Sequence, residues 1–291
     1  MTDPLVARLR AAGCVFAEDE AAMLREAAAG DPGRLEALAT RRVAGEPLEV
    51  VVGWADFAGL RIPVEPGVFV PRMRTEALVD EAVRLVLGAG AAAAAAASGG
   101  ADAPGGADAP ARRPPVVVDL CCGTGAIGAA ILERSAAAGV VVDLVAADLD
   151  PAAVRVARRT LEPRRARVFG GDLFDALPAD LRGRVLVLAV NAPYVPTAAI
   201  ATMPPEARDH EARLALDGGA DGLDVHRRVA ASAREWLRPG GHLLVEAGEE
   251  QAAASAAVLA AAGLDVRVVR DDERDASVVV GTAPGAAVGA A

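Results

Sequence analysis

Asn191-Ala192-Pro193-Tyr194 combines a side-chain amide, a main-chain carbonyl ahead of a proline and a flat aromatic ring in one short run. The Asn191 oxygen can accept one hydrogen of an NH2 group and the Ala192 carbonyl the other. Pro193 restricts Ala192 to extended backbone, which fixes where that carbonyl points, and the Tyr194 ring offers a face to a planar acceptor. Such a clasp suits a nitrogen whose lone pair is delocalised, because that nucleophile needs aiming more than it needs a strong base. Catalysis by Asn191, Ala192, Pro193 and Tyr194 would then be positioning and electrostatics. The competing reading is an ordinary Asn-x-Pro turn with Tyr194 as packing. The run follows the fourth strand of a strand–helix series, and that context favours the catalytic reading.

A second group lies upstream, in VVVDLCCGTGAIGAAIL. Asp119 closes a strand, Cys121, Gly123, Thr124 and Gly125 make a tight loop, and a helix follows. Glycines let backbone amides approach a ligand closely, and a helix N-terminus presents unpaired N–H groups. The next strand ends in Asp148, followed by Leu149, and a carboxylate there can accept ribose hydroxyl hydrogens. Two cofactors fit. Gly123, Gly125 and Gly128 satisfy G-x-G-x-x-G with an acid about twenty residues on, the dinucleotide fingerprint. S-adenosyl-L-methionine is favoured by Asp119, which would orient a methionine ammonium directly or through water and repel a pyrophosphate. Asp172, with Leu173 beside it in GDLF, favours it too, standing after the third strand where it can meet an adenine amino group. Cys121 and Cys122 read as small loop and core residues, since no His lies near them in sequence. Asp148 could be a helix cap, although Asp150 ahead of Pro151 is the better one.

Holding these groups together requires a scaffold of strands. VVVDL (116–120), VVDLVAAD (141–148), ARVFG (166–170), VLVLAV (185–190), GHLLVEA (241–247), VRVVR (266–270) and SVVVG (277–281) read as strands with helices between most of them. Near-continuous apolar strands imply a sheet covered on both faces, hence a parallel doubly wound α/β fold. In such a fold, ligands bind outside the carboxyl ends of the strands. Residues 1–44 read as a helical module with Leu5, Leu9, Met23, Leu24, Leu35 and Leu38 inward. Residues 45–74 read as short strands forming an interdomain hairpin, and 75–87 as a helix. Residues 88–115, rich in Ala, Gly, Pro and Asp, read as a flexible linker, followed by the main domain at 116–282 and a disordered tail at 283–291.

Composition narrows the function classes. The chain has 291 residues, of which 53% are hydrophobic but only 3% aromatic, so its core is built from small side chains. The net charge of −10 disfavours direct nucleic-acid binding, which needs a cationic surface to displace counterions. Three cysteines, two of them adjacent, fit neither a disulfide framework nor a four-ligand metal site, so no metal is expected. The N-terminus lacks a signal-peptide core, and the run from Ala89 to Ala97 is too short to span a membrane. A cytoplasmic monomer without membrane association is expected.

These segments resemble the release-factor glutamine N5-methyltransferases (HemK/PrmC type) through most of the chain outside the linker. GEPLEVVVGWADFAGLRIPVEPGVFVPRMRTEALVD (45–80) is similar to that family's interdomain hairpin, which ends in a Pro-Arg-x-x-Thr-Glu motif, here Pro71, Arg72, Thr75 and Glu76. VVDLCCGTGAIG, GDLF and NAPY resemble its donor loop, adenine contact and Asn-Pro-Pro-Tyr acceptor motif. HEARLALDGGADGLDVHRRV (210–229) resembles its Glu-Pro-x-x-Ala-Leu…Gly-Gly…Asp-Gly-Leu segment, the part most specific to the family. The resemblance implies a Rossmann-like, seven-stranded class I methyltransferase domain with a helical N-terminal module and a β-hairpin. It also implies S-adenosyl-L-methionine as donor and a protein substrate, the Gly-Gly-Gln loop of peptide-chain release factors. Arg72 and Thr75 would then lie at the donor site, the alternative for Arg72 being an ion pair with Glu76 that joins the modules. Glu211 would bind substrate or buttress the acceptor loop, or else be a solvated surface acid. Ala192 stands where the family has its first Pro, Cys121 where it has the loop's first Gly, and Ala212 where it has the Pro after Glu. The alternatives are an N-methyltransferase of another protein, a small molecule or a nucleobase amine, and a non-catalytic donor-binding paralogue.

Overall fold

The computed structural model describes residues 3–98 and 113–285. It begins with four helices, α1 (Pro4–Ala11), α2 (Ala17–Ala28), α3 (Pro32–Val43) and α4 (Leu48–Val52). Asp3 and Asp31 accept backbone N–H groups at the starts of α1 and α3, each followed by a Pro in the first turn, the arrangement that satisfies a helix start. Leu9, Leu24 and Leu38 form the core of this bundle, and Leu5, Met23 and Leu35 pack around them. The valine run 50–52 was expected to be a strand and is helical instead. Gly53, in the left-handed conformation, ends α4, and Val51 and Val52 pack into the bundle. Burial there overrides the β-propensity of valine.

A hairpin follows, β1 (Trp54–Phe57) and β2 (Leu60–Pro63). Its two turn residues, Ala58 and Gly59, both have positive φ, as the twist of a two-residue hairpin loop requires. After a 3-10 turn at Met73–Thr75, α5 runs over Glu76–Ser98. Residues 88–98, expected to open a flexible linker, therefore extend this helix; alanine is the best helix former, a propensity that a low-complexity reading discounts. The rest of the expected linker at 99–112, and 286–291 of the expected tail, lie outside the described residues.

The main domain comprises β3 (Val116–Leu120), α6 (Ala126–Ala137), β4 (Asp143–Asp148), α7 (Pro151–Leu161), β5 (Arg167–Gly170), β6 (Val185–Val190), α8 (Pro205–His210), α9 (Arg213–Leu216), α10 (Asp224–Trp236), β7 (Leu237–Ala247), α11 (Ala252–Ala261), β8 (Asp265–Asp271) and β9 (Ala276–Thr282). The seven strands order as β5-β4-β3-β6-β7-β9-β8. Pairing is parallel from β5 to β7, and β9 is antiparallel to both its neighbours. The all-parallel expectation thus fails at β9 for a simple reason. Only residues 272–275 separate it from β8, and a parallel crossover needs a dozen residues or more.

Leu78, Ile131 and Leu161, from α5, α6 and α7, cover one face of the sheet. Val229, Trp236 and Leu259, from α10 and α11, cover the other. Trp236 stacks on Phe174 at 5.6 Å between ring centroids, and Trp54 packs against the helical bundle, so both act as core anchors. Among the described residues no helix is long and apolar enough to cross a membrane.

Candidate active site

The carboxyl ends of β3, β4 and β6 open into a cleft of about 230 Å³. Cys121, Gly123 and Thr124 line it from the loop after β3, Asp148 and Leu149 from the end of β4, and Asp172 and Leu173 from the turn after β5. Asn191, Ala192, Pro193 and Tyr194 line the opposite wall, with Arg72, Thr75 and Glu211. Two of the expected site residues, Asp119 and Gly125, do not reach the cleft.

Asp119 is completely buried beneath the loop. Its Oδ2 accepts the Gly128 N–H at 2.9 Å, while Oδ1 is buried without a partner. Asp119 thus stands behind the loop that lines the cleft, with one oxygen free of protein partners. The missing side chain of Gly128 makes the space it occupies, since a Cβ there would lie 3.0 Å from Asp119 Oδ2. Burial pushes the Asp119 carboxyl up to about 7, the Gly128 N–H opposing and the nearby Asp148 charge adding to the rise. Gly125 is also structural. Its φ is +77° and a Cβ would meet Leu161 Cδ1 at 2.9 Å, so this glycine lets α7 close on α6.

Asp148 is held rigidly at the end of β4. Its Oδ2 accepts the Gly123 N–H at 2.8 Å and its Oδ1 accepts the Asp150 N–H at 2.9 Å. The carboxylate is thereby fixed at the cleft wall with lone pairs to spare. Burial pushes its carboxyl up against those two hydrogen bonds. Cys121 sits at φ +59° in the position where glycine would be relaxed. Burial, then the charges of Asp148 and Asp119, push its thiol up, and burial likewise raises Cys122. Both stay protonated thiols, as the packing reading requires. Leu149 is half-exposed to the cleft, and Asp172 on the rim accepts from Arg228 Nη2 at 2.7 Å.

The loop at 191–195, the expected acceptor motif, is held by main chain. Val195 N–H donates to the Leu216 carbonyl at 3.0 Å and Gly218 N–H to the Val195 carbonyl at 2.9 Å. Gln251 Nε2 donates to the carbonyls of both Tyr194, at 2.9 Å, and Asp221, at 3.0 Å. The glycines of the 218–222 segment make this approach possible. A Cβ on Gly218 would lie 2.8 Å from the Pro193 carbonyl, and one on Gly222 2.2 Å from the Tyr194 carbonyl. Asn191 Nδ2 donates to Thr75 Oγ1 at 3.3 Å, and the Tyr194 hydroxyl donates to Glu246 Oε1 at 3.4 Å. Burial, followed by the charge of Glu246, raises the Tyr194 phenol to about 12, so it remains a donor.

Arg72 pairs with Glu211, not with Glu76. Glu76 instead accepts the Ala58 N–H at 2.9 Å, tying α5 to the hairpin. Glu211 is buried, not a solvated acid, and a β-bridge joins it to Gly67, so it links the stretch after the hairpin to the acceptor wall. Thr75 faces Asn191 and is almost fully buried, which places it behind the acceptor loop. No histidine lines the cleft among the described residues. His226 is buried against Ser255 and pushed down to about 4 by burial. Sequence reasoning missed Glu246, Gln251 and Arg74. A usable signal existed for Glu246, which is an acid directly after the apolar run Leu243–Val245 near the carboxyl end of β7.

A fold of this order with this cleft defines a class I methyltransferase. Residues 109–199, from just ahead of β3 through the acceptor motif, match the family model "Methyltransferase small domain". A release factor glutamine methyltransferase of Geobacter sulfurreducens is 37% identical over 74% of this chain and 65% of the relative. The chain thus spans just under two thirds of that relative's length, and 66% of a Streptomyces coelicolor relative of the same name. A relative so named in Caulobacter vibrioides is 34% identical over 94% of this chain and 92% of its own. A 4-amino-L-phenylalanine/4-methylamino-L-phenylalanine methyltransferase of Streptomyces pristinaespiralis is 36% identical over 80% of this chain and 71% of the relative. The solved protein-(glutamine-N5) methyltransferase of Alicyclobacillus acidocaldarius is 24% identical, with a TM-score of 0.39 over 77% of this chain and 99% of that one. The chain belongs to the release factor glutamine methyltransferase family.

Two measurements check this account of the loop after β3. Gly125→Ala adds a side chain where φ is +77° and Leu161 is 2.9 Å away, so urea unfolding should show a loss of about 2 kcal/mol or more. Asp119 is the pH-sensitive element. Its folded pKa of about 7 lies above the ordinary value of 3.8, so its contribution to stability is complete below 3.8 and fades as pH rises through 7. The stability of wild type minus that of Asp119→Asn should therefore fall between about pH 4 and pH 7 and level off above that. A flat difference would show that Asp119 titrates normally.

Proposed function

We propose that this protein is an S-adenosyl-L-methionine-dependent methyltransferase acting on a protein glutamine, in the Gly-Gly-Gln loop of peptide-chain release factors. One observation carries the reading. Tyr194 and Val195 spend their carbonyls inside the chain, on Gln251 and Gly218, whereas among the described residues no backbone N–H claims the Ala192 carbonyl. Asn191 gives its NH2 to Thr75, leaving its oxygen for a ligand. Two neighbouring acceptors with no proton to give match an NH2 group, and a hydroxyl could satisfy only one of them.

The donor half suits the proposed cofactor. Asp148 has free lone pairs for a ribose diol, and Leu149 and Leu173 offer apolar walls to an adenine. Bound there, the donor supplies a methyl group carried on a sulfonium. The chain's own residues do the rest. Asn191 and Ala192 hold both hydrogens of the acceptor NH2, Tyr194 stacks against its plane, and the loop excludes water from the aimed nitrogen. The helical module would recognise the protein substrate, and Val15 and Phe16, exposed on the loop between α1 and α2, give it an apolar tip. A cytoplasmic monomer fits this role.

A second reading rests on the relative from Streptomyces pristinaespiralis, since the same clasp holds the NH2 of an aryl amine. Mass spectrometry after incubation with the donor separates the two. The expected result is one methyl on the Gln of a Gly-Gly-Gln protein, and methyl on 4-amino-L-phenylalanine alone would favour the second reading. Incorporation into nucleic acid alone would overturn both. Asn191→Ala should cut methyl transfer by about a hundredfold or more while adenosylhomocysteine affinity, by calorimetry, stays within a few-fold. Asp148→Ala should instead weaken that affinity.

A further inference from the structure

The clasp works only if the Asn191 amide is the right way round. Its oxygen and nitrogen are nearly the same size, and the flipped amide would aim an NH2 at the acceptor's own NH2. Thr75 Oγ1, 3.3 Å from Asn191 Nδ2, is the visible constraint. A hydroxyl alone cannot enforce it, because it donates as readily as it accepts. Were its hydrogen turned towards Asn191, the flipped amide would be equally satisfied.

Glu246 removes that freedom. It stands at the carboxyl end of β7, 3% exposed, with Oε2 buried and unpartnered. Burial pushes its carboxyl up, and the hydroxyl of Thr75, the positive charge of Arg74 and the hydroxyl of Tyr194 oppose that rise. Arg74 Nε lies 3.5 Å from Glu246 Oε1, and the guanidinium lies 5.9 Å from the Tyr194 ring. In the ionised form that the Arg74 contact favours, the carboxylate can only accept, so it draws the Thr75 hydrogen towards itself and leaves the Thr75 oxygen to accept from Asn191. The same carboxylate takes the Tyr194 hydroxyl at 3.4 Å. One buried acid thus governs both side chains of the acceptor motif.

We propose that Thr75 and Glu246 are positioning residues that lock the Asn191 amide with its oxygen towards the cleft. The proposal rests on the reading that Asn191 receives an acceptor NH2, and its test has one arm that needs no acceptor. In the 15N-labelled full chain, the Asn191 side-chain NH2 signal, assigned through Asn191→Asp, should exchange with solvent at least tenfold faster in Thr75→Val and recover in Thr75→Ser. Unchanged exchange in Thr75→Val would overturn the lock, whatever the substrate proves to be. In the activity arm, Thr75→Val and Glu246→Gln should each lower kcat about a hundredfold on whichever acceptor the wild type methylates. Adenosylhomocysteine affinity should stay within threefold, with Thr75→Ser near wild type. Parallel losses of kcat and donor affinity would make Thr75 a donor contact and overturn the proposal. If the Glu246 variant fails to fold, the Thr75→Val and Thr75→Ser pair decides. A wild type that methylates no candidate acceptor would count against the function alone, because the exchange measurement still decides the lock.

Discussion

The site depends on one contact of backbone against backbone, between the acceptor loop at 191–195 and the glycine segment at 218–222. Pro193 and Tyr194 approach it so closely that a Cβ on Gly218 or Gly222 would overlap their carbonyl oxygens. Hydrogen bonds from Val195, Gly218 and Gln251 then fix the loop from outside. Buried main-chain groups must be paired or face a ligand, and this clamp decides which ones are paired. It also explains how Ala192 can stand where the family has proline. Rigidity at that point comes from the neighbouring segment, so the lost ring costs little as long as Pro193 keeps Ala192 extended.

The same wall is tied to the rest of the chain by charge. Arg72 reaches Glu211, and Arg42 of the helical module pairs with Glu20, at 2.6 Å, and with Glu206 of α8, also at 2.6 Å. Arg42 and Glu20 are both buried. That buried pair lies within the module, and the contact that crosses to α8 ends on the half-exposed Glu206, so it steadies the two parts only modestly.

Much of this was legible in the sequence because the decisive signals were local. Apolar runs bounded by glycine gave six of the seven strand directions, and the inward leucines of α1 to α3 followed from helical spacing. The acceptor motif and Asp148 fell where a doubly wound sheet puts its ligands. What escaped depended on partners far away in the chain. The valines of α4 became helical because the bundle buries them. β9 reversed because its connection is short. Asp119 turned under its loop because Gly128, one helical turn beyond, leaves room. Arg72 chose Glu211 over Glu76, a pairing that no spacing rule could reveal. Glu246 carries no motif at all, and its meaning comes only from Thr75 and Tyr194 arriving beside it.

The central claim is that the Asn191 oxygen and the Ala192 carbonyl together hold an NH2 group in the cleft. A crystal structure with adenosylhomocysteine and a Gly-Gly-Gln peptide tests it most directly. The account predicts the glutamine nitrogen within hydrogen-bonding distance of both oxygens, facing the donor sulfur across the cleft. A peptide bound with its glutamine oxygen towards Asn191, or a donor lying away from residues 191–194, would contradict it.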